Sequence, residues 1–133
     1  MVNFIIYKAN GKITRIGYCQ NGYIQLQPQD TSETVIEGIC DLNTDYILSG
    51  TVTTRPTQLT TLDKSILTAN GVDVITITNA PTGTFTATNT TTRETVSGSI
   101  SGSDTFSTTV AGTYEIKIES FPYLDFVTTV EAI

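Results

Sequence analysis

Ala111-Gly112-Thr113-Tyr114-Glu115-Ile116-Lys117-Ile118-Glu119 alternates without a break once its glycine is passed. Tyr114, Ile116 and Ile118 share one side of an extended chain, and Thr113, Glu115, Lys117 and Glu119 share the other. That period of two predicts a half-buried antiparallel strand, entered through a turn at Gly112. The surrounding sequence follows the same rule. Residues 63–69 read as a first strand ending at Asn70-Gly71. Over residues 72–78, Val72, Val74 and Ile77 compete for the inner face, with Ile75 out of step. Ala80-Pro81-Thr82-Gly83 reads as a turn, and residues 84–88 send Phe85 and Ala87 inward. Residues 93–100 and 105–110 read as two strands joined at Ser101-Gly102-Ser103-Asp104. Phe121-Pro122-Tyr123 is a corner, and residues 126–132 close the series. About seven strands at roughly ten-residue spacing is the pattern of a β-sandwich. Its expected core contains Phe85, Phe106, Tyr114, Ile116 and Ile118. Tyr114 is expected to pack there and to make one backbone hydrogen bond.

The first half is also strand-rich. Residues 3–9 and 12–19 are expected to pair about Asn10-Gly11, read as a type I′ turn. Asn21-Gly22 is a second turn, and residues 23–27 fit either a strand or one helical turn. Residues 28–32 form a loop, and residues 33–40 a strand centred on Val35 and Ile36. Residues 45–48 and 51–54 pair about Ser49-Gly50. The stretch from Thr54 onward, Arg55-Pro56-Thr57-Gln58-Leu59-Thr60-Thr61, holds little apolar surface to bury, and Pro56 pushes Arg55 toward an extended shape. The expected organisation is therefore a mainly β chain: an N-terminal β-hairpin-rich module over residues 1–55, a linker over 56–61 and a sandwich over 62–133. Phe4 and Ile6 share one face of the opening strand, and Ile5 and Tyr7 the other. A small module is not expected to cover both faces. These four residues are the candidate docking surface, on a strand that offers a free edge. Phe121 and Tyr123 are a candidate exposed tip, with a buried plug at the strand switch as the alternative.

Bulk properties narrow the function. Of 133 residues, 38% are hydrophobic and 15% charged, and about one in five is threonine, which suits exposed strand faces. The net charge is −6 with no run of Lys or Arg, so neither nucleic acid nor an anionic membrane is an expected partner. No apolar stretch approaches the roughly 20 residues that cross a bilayer. Residues 1–8 read as a strand rather than a signal peptide, which leads to the expectation of assembly in the cytosol. Cys19 and Cys40 are expected as small buried hydrophobes, with a disulfide as the alternative.

The chain has no histidine, which excludes Ser–His and Cys–His nucleophiles and leaves two thiols too few for zinc. Ser65 beside Lys64 points to the opposite face of a strand. Asp41 with Asp45, and Asp63 with Asp73, are the close carboxylate pairs. Both sit near turns, where Asp commonly binds its own backbone. No catalytic residue, metal ligand or cofactor is expected, and the chain does not read as an enzyme.

Two sets of residues carry a resemblance. Leu62-Asp63-Lys64-Ser65-Ile66-Leu67-Thr68-Ala69-Asn70-Gly71-Val72-Asp73-Val74-Ile75-Thr76-Ile77 resembles the opening hairpin of bacterial and phage immunoglobulin-like domains. Ala111-Gly112-Thr113-Tyr114-Glu115-Ile116 resembles their penultimate strand. In the first half, Gly11-Lys12-Ile13-Thr14-Arg15-Ile16-Gly17-Tyr18-Cys19, Val35-Ile36-Glu37-Gly38 and Tyr46-Ile47-Leu48-Ser49-Gly50 lead to Arg55-Pro56. Together with residues 57–63 and Phe121-Pro122-Tyr123-Leu124 they resemble small accessory proteins of tailed bacteriophages. The resemblance implies a non-catalytic structural component of the virion, in its tail, fibre, neck or capsid decoration. The N-terminal module would dock it and the immunoglobulin-like β-sandwich would project. The implied partners are other virion proteins, in multiple copies, assembled in the host cytoplasm. The alternative expectation is a carbohydrate- or cell-surface-binding module touching a host-surface glycan. That role calls for aromatic platforms, and the chain has no tryptophan.

Overall fold

A computed structural model describes residues 1–27 and 30–133, so Pro28 and Gln29 of the expected 28–32 loop lie outside the described residues. The chain is almost wholly β and divides into two compact units, Met1–Pro56 and Thr57–Ile133.

In the first unit, β1 (Val2–Lys8) lies between β2 (Ile13–Cys19) and β3 (Glu33–Glu37), antiparallel to both. A hairpin of β4 (Asp45–Leu48) and β5 (Thr51–Thr54) accompanies this sheet. Residues 23–27 hold a 3-10 turn at Ile24–Leu26 rather than a strand. Each face of β1 has its own apolar cluster. Phe4, Ile6 and Val35 pack with Cys19 and Ile24 on one side, and Gly17, paired with Phe4, leaves room for its ring. Ile5, Ile13 and Ile47 pack with Tyr7, Ile36, Cys40 and Val52 on the other. The 3-10 turn thus covers one face and the β4–β5 hairpin the other, which is how so small a unit supports a strand apolar on both sides.

The two hairpin turns differ from a simple reading of their glycines. Gly11 has φ +90, but Asn10 is not at positive φ. The Gly11 N–H donates to the Lys8 carbonyl at 2.8 Å and the Lys8 N–H to the Lys12 carbonyl at 3.0 Å. This is a three-residue loop with a glycine bulge, not type I′. The pair of positive-φ residues that type I′ requires occurs instead at Ser49 (φ 51) and Gly50 (φ 76).

The second unit contains β6 (Thr61–Leu62), β7 (Ile66–Leu67), β8 (Ile75–Asn89), β9 (Thr95–Phe106), β10 (Gly112–Glu119) and β11 (Phe126–Ala132). They form one sheet in the order β6-β8-β10-β11-β7, with β9 also on β8. All pairs are antiparallel except β7 with β11. The expected turn at residues 80–83 and the expected joint at 101–104 are instead bends inside β8 and β9. The register slips on either side of Ala80, Asn79 has φ 57, and Gly102, paired with Ala80, has φ +82. Bulges of this kind turn a strand without ending its pairing.

The bend folds the sheet over. Ile75 and Ala87 belong to one strand and could not meet if it ran straight. They nevertheless share a cluster with Leu67, Phe106, Tyr114, Ile116, Val130 and Ala132. A second cluster joins Ile77, Ala80, Ile100 and Ile118. Of the expected core, Phe106, Tyr114, Ile116 and Ile118 are buried, and Phe85 is half-buried against both clusters. Ile75 and Ile77 take the inner face at 0% exposure, while Val72 is 82% exposed.

The segment expected to be a linker is partly built into the second unit. Gln58 and Thr60 are buried. Gln58 Nε2 donates to the carbonyls of Ile118 at 2.8 Å and Leu124 at 3.0 Å, and its Oε1 accepts from the Thr60 hydroxyl at 2.7 Å. The segment anchors through polar satisfaction rather than apolar burial.

Candidate functional site

The four residues expected to form a docking surface do not form one. Phe4 is 6% exposed and Ile5 and Ile6 are 0%, while Tyr7 packs against the Ile5 cluster. Their strand is the centre of its sheet and has no free edge. A strand apolar on both faces is here a strand covered on both faces.

Phe121 and Tyr123 are half-buried, neither a projecting tip nor a sealed plug. Tyr123 borders a surface depression of 480 Å³ with Thr57, Leu59, Asn79, Ala80 and Pro81. Tyr114 is buried, and its hydroxyl donates to the Val110 carbonyl at 2.8 Å and lies 2.9 Å from the Thr108 hydroxyl. Its ring meets Phe106 edge-on at 5.2 Å between centroids. This is the packing and backbone bond expected of it.

The carboxylate pairs brace turns. Asp41 Oδ1 accepts from the backbone N–H groups of Asn43 and Thr44, and Asp45 Oδ2 accepts from that of Asp41 at 2.8 Å. Asp63 Oδ1 accepts from the Thr76 N–H at 2.8 Å. Asp73 receives Lys64 Nζ at 2.5 Å on one oxygen and the Thr68 N–H at 2.7 Å on the other. The Lys64 hydrogen bond, helped by Thr68, holds the Asp73 carboxyl below its ordinary range. Lys64 is thereby committed to Asp73 and not to Ser65. Lys117 has its pKa raised by Glu119, with smaller help from Asp125 and Glu115.

Cys19 and Cys40 are unbonded and pack against clusters on opposite faces of the sheet. Burial pushes the Cys40 thiol up, and Asp45 and Asp41 add to it. Among the described residues no three His, Cys, Asp or Glu side chains gather at one point.

The surface that sequence reading passed over is β9. Of its twelve residues only Ile100 and Phe106 are buried, and Val96 is 66% exposed. Its cross-strand contacts to β8 include a hydroxyl pair, Thr88 with Thr95 at 3.0 Å. Splitting the segment at residues 101–104 hid a single long edge strand. The absence of any charged residue from Thr95 to Ser103 was the available signal.

No family model matches the chain, and neither a curated protein nor a solved structure is significantly similar to it.

Proposed function

We propose that this chain is a non-catalytic structural component of a tailed-bacteriophage virion, one unit attaching it and the other displayed as an immunoglobulin-like sandwich. The observation that carries the reading is the division into two β units, each with its own apolar clusters, on which the resembling motifs fall. The parallel pairing of β7 with β11 and the Tyr114 bond to Val110 support the immunoglobulin-like assignment, since the latter is the bond a tyrosine corner makes. The charged side chains described above are occupied in bracing turns and strand ends, which suits a scaffold.

Attachment does not rest on the opening strand, whose side chains are in the core. The exposed apolar residues of the first unit are better placed for it: Ile16, Tyr18 and Ile39 border one depression of 200 Å³, at 44%, 71% and 78% exposure. The test is mass spectrometry of purified particles. The wild-type chain is expected in mature particles, and Tyr18→Glu combined with Ile39→Glu is expected to remove it while the protein still folds. Absence of the wild-type chain from particles would overturn the virion reading. A host-surface glycan partner is the second reading, favoured by the half-exposed Tyr123 at its depression. Binding on a glycan array that Tyr123→Ala abolishes would select it.

A further inference from the structure

β9 pairs with β8 alone among the described residues, so the other side of its backbone carries free N–H and C=O groups. Proteins usually blunt such an edge with lysine, proline or short length. Thr95-Val96-Ser97-Gly98-Ser99-Ile100-Ser101-Gly102-Ser103 uses none of these and has no charge. β8 behind it is also uncharged throughout. The nearest charges in sequence are Arg93 and Glu94 before this stretch and Asp104 after it. In a chain of net charge −6, copies repel one another, and this neutral strip is where two of them can approach at least electrostatic cost.

We propose that β9 is an interface between two copies of this chain, the two strands pairing antiparallel across a two-fold axis at Gly98. The side-chain order selects this register. Val96, Gly98 and Ile100 lie opposite Ala87, Phe85 and Gly83 of β8, on the core side of the sheet. Thr95, Ser97 and Ser99 lie opposite Thr88, Thr86 and Thr84, on the outer side. About Gly98, Val96 falls opposite Ile100 of the partner subunit, and this happens twice per dimer. Ser97 falls opposite Ser99, and Thr95 opposite Ser101. Apolar positions lie opposite apolar ones on the core side, and hydroxyls opposite hydroxyls on the outer side. Moving the axis to Ser97 or Ser99 loses the Val96–Ile100 match. Gly98 itself sits at the axis, with nothing within 4 Å of where a Cβ would stand. Gly102, at φ +82, bends the strand and ends the straight run available for pairing. The contact is isologous and therefore closes at two copies along this edge. It also covers Val96, an apolar side chain that is 66% exposed in the single chain.

The pairing is independent of the virion assignment, because it is measured in solution with no particle present. Sedimentation velocity of the full chain, from micromolar to millimolar concentration, is expected to show a reversible dimer. Val96→Lys is expected to weaken it by about tenfold or more, since the pairing would then cover two ammonium groups per dimer on the apolar side of the sheet. Ser97→Lys, at an exposed position, is expected to weaken it as well. Adding Ser99→Glu to Ser97→Lys is expected to restore it, because the introduced lysine and glutamate face each other twice. Thermal melts of each variant separate loss of pairing from loss of fold. A wild-type chain that stays monomeric throughout, or a dimer indifferent to both single substitutions, overturns the interface. Failure of the double variant to regain the dimer overturns the register.

Discussion

Single side chains in this protein settle backbone accounts. The Tyr114 hydroxyl closes the Val110 carbonyl while its ring stays in the core against Phe106. Tyr114→Phe keeps the ring and deletes the bond, and should cost about 1 kcal/mol in urea unfolding of the second unit. An unchanged midpoint would mean that water replaces the hydroxyl without loss. Asp73 is a surface counterpart. Lys64 first, and then the Thr68 N–H, depress its folded pKa below the ordinary value of 3.8. A depressed carboxylate contributes stability that is fully present above the unfolded value and lost as pH falls through the folded one. Asp73→Asn should therefore melt below the wild type at neutral pH. The two melting temperatures should converge once the pH is taken well under 3.8. A gap that persists in acid would show that the carboxylate charge is not what holds Thr68 and Lys64.

At the scale of elements, what the sequence made legible and what it hid have a common cause. The period-two pattern of residues 111–119 placed β10 and its inward side chains, because alternation is written in the side chains themselves. The β4–β5 hairpin about Ser49-Gly50 was equally readable. Two features were not. Whether Ala80-Pro81-Thr82-Gly83 ends a strand or bends one depends on cross-strand pairing, which local composition does not encode. The burial of β1 on both faces depends on what the 3-10 turn and the β4–β5 hairpin cover, a tertiary fact. Gly11 links these elements. At φ +90, a Cβ there would collide with the Ile47 carbonyl oxygen, while the Gly11 carbonyl accepts the Ile47 N–H at 2.9 Å. Gly11→Ala should thus strain the turn and push β4 away at once, costing more than about 1 kcal/mol. Hydrogen exchange should speed up at the amides of β1, β2 and β4 while β10 keeps its protection. Equal loss of protection in β10 would mean that the two units unfold as one.

At the scale of the whole molecule, the question is where one unit stops. Composition placed an open linker at residues 56–61, since apart from Pro56 and Leu59 the segment is Thr and Gln and offers little apolar surface. The same polar groups do structural work instead. Gln58 bonds the Ile118 and Leu124 carbonyls, and Thr60 holds the Gln58 amide in place. Thr61 and Leu62 then pair with Thr78 and Ile77 of β8. A polar segment can belong to a core when it satisfies buried backbone, and hydrophobicity alone misses it. Two fragments test where the boundary lies. One that begins at Thr57 retains Gln58, Thr60 and the whole of β6. One that begins at Leu62 leaves the Ile118 and Leu124 carbonyls without their side-chain donor and halves β6. The longer fragment should unfold cooperatively with the stability of the second unit in the intact chain. The shorter one should be weaker by about 1–3 kcal/mol for each buried group left unpaired. If the two fragments have the same denaturation midpoint, residues 57–61 are a linker after all, and the Gln58 bonds contribute nothing to holding the second unit together.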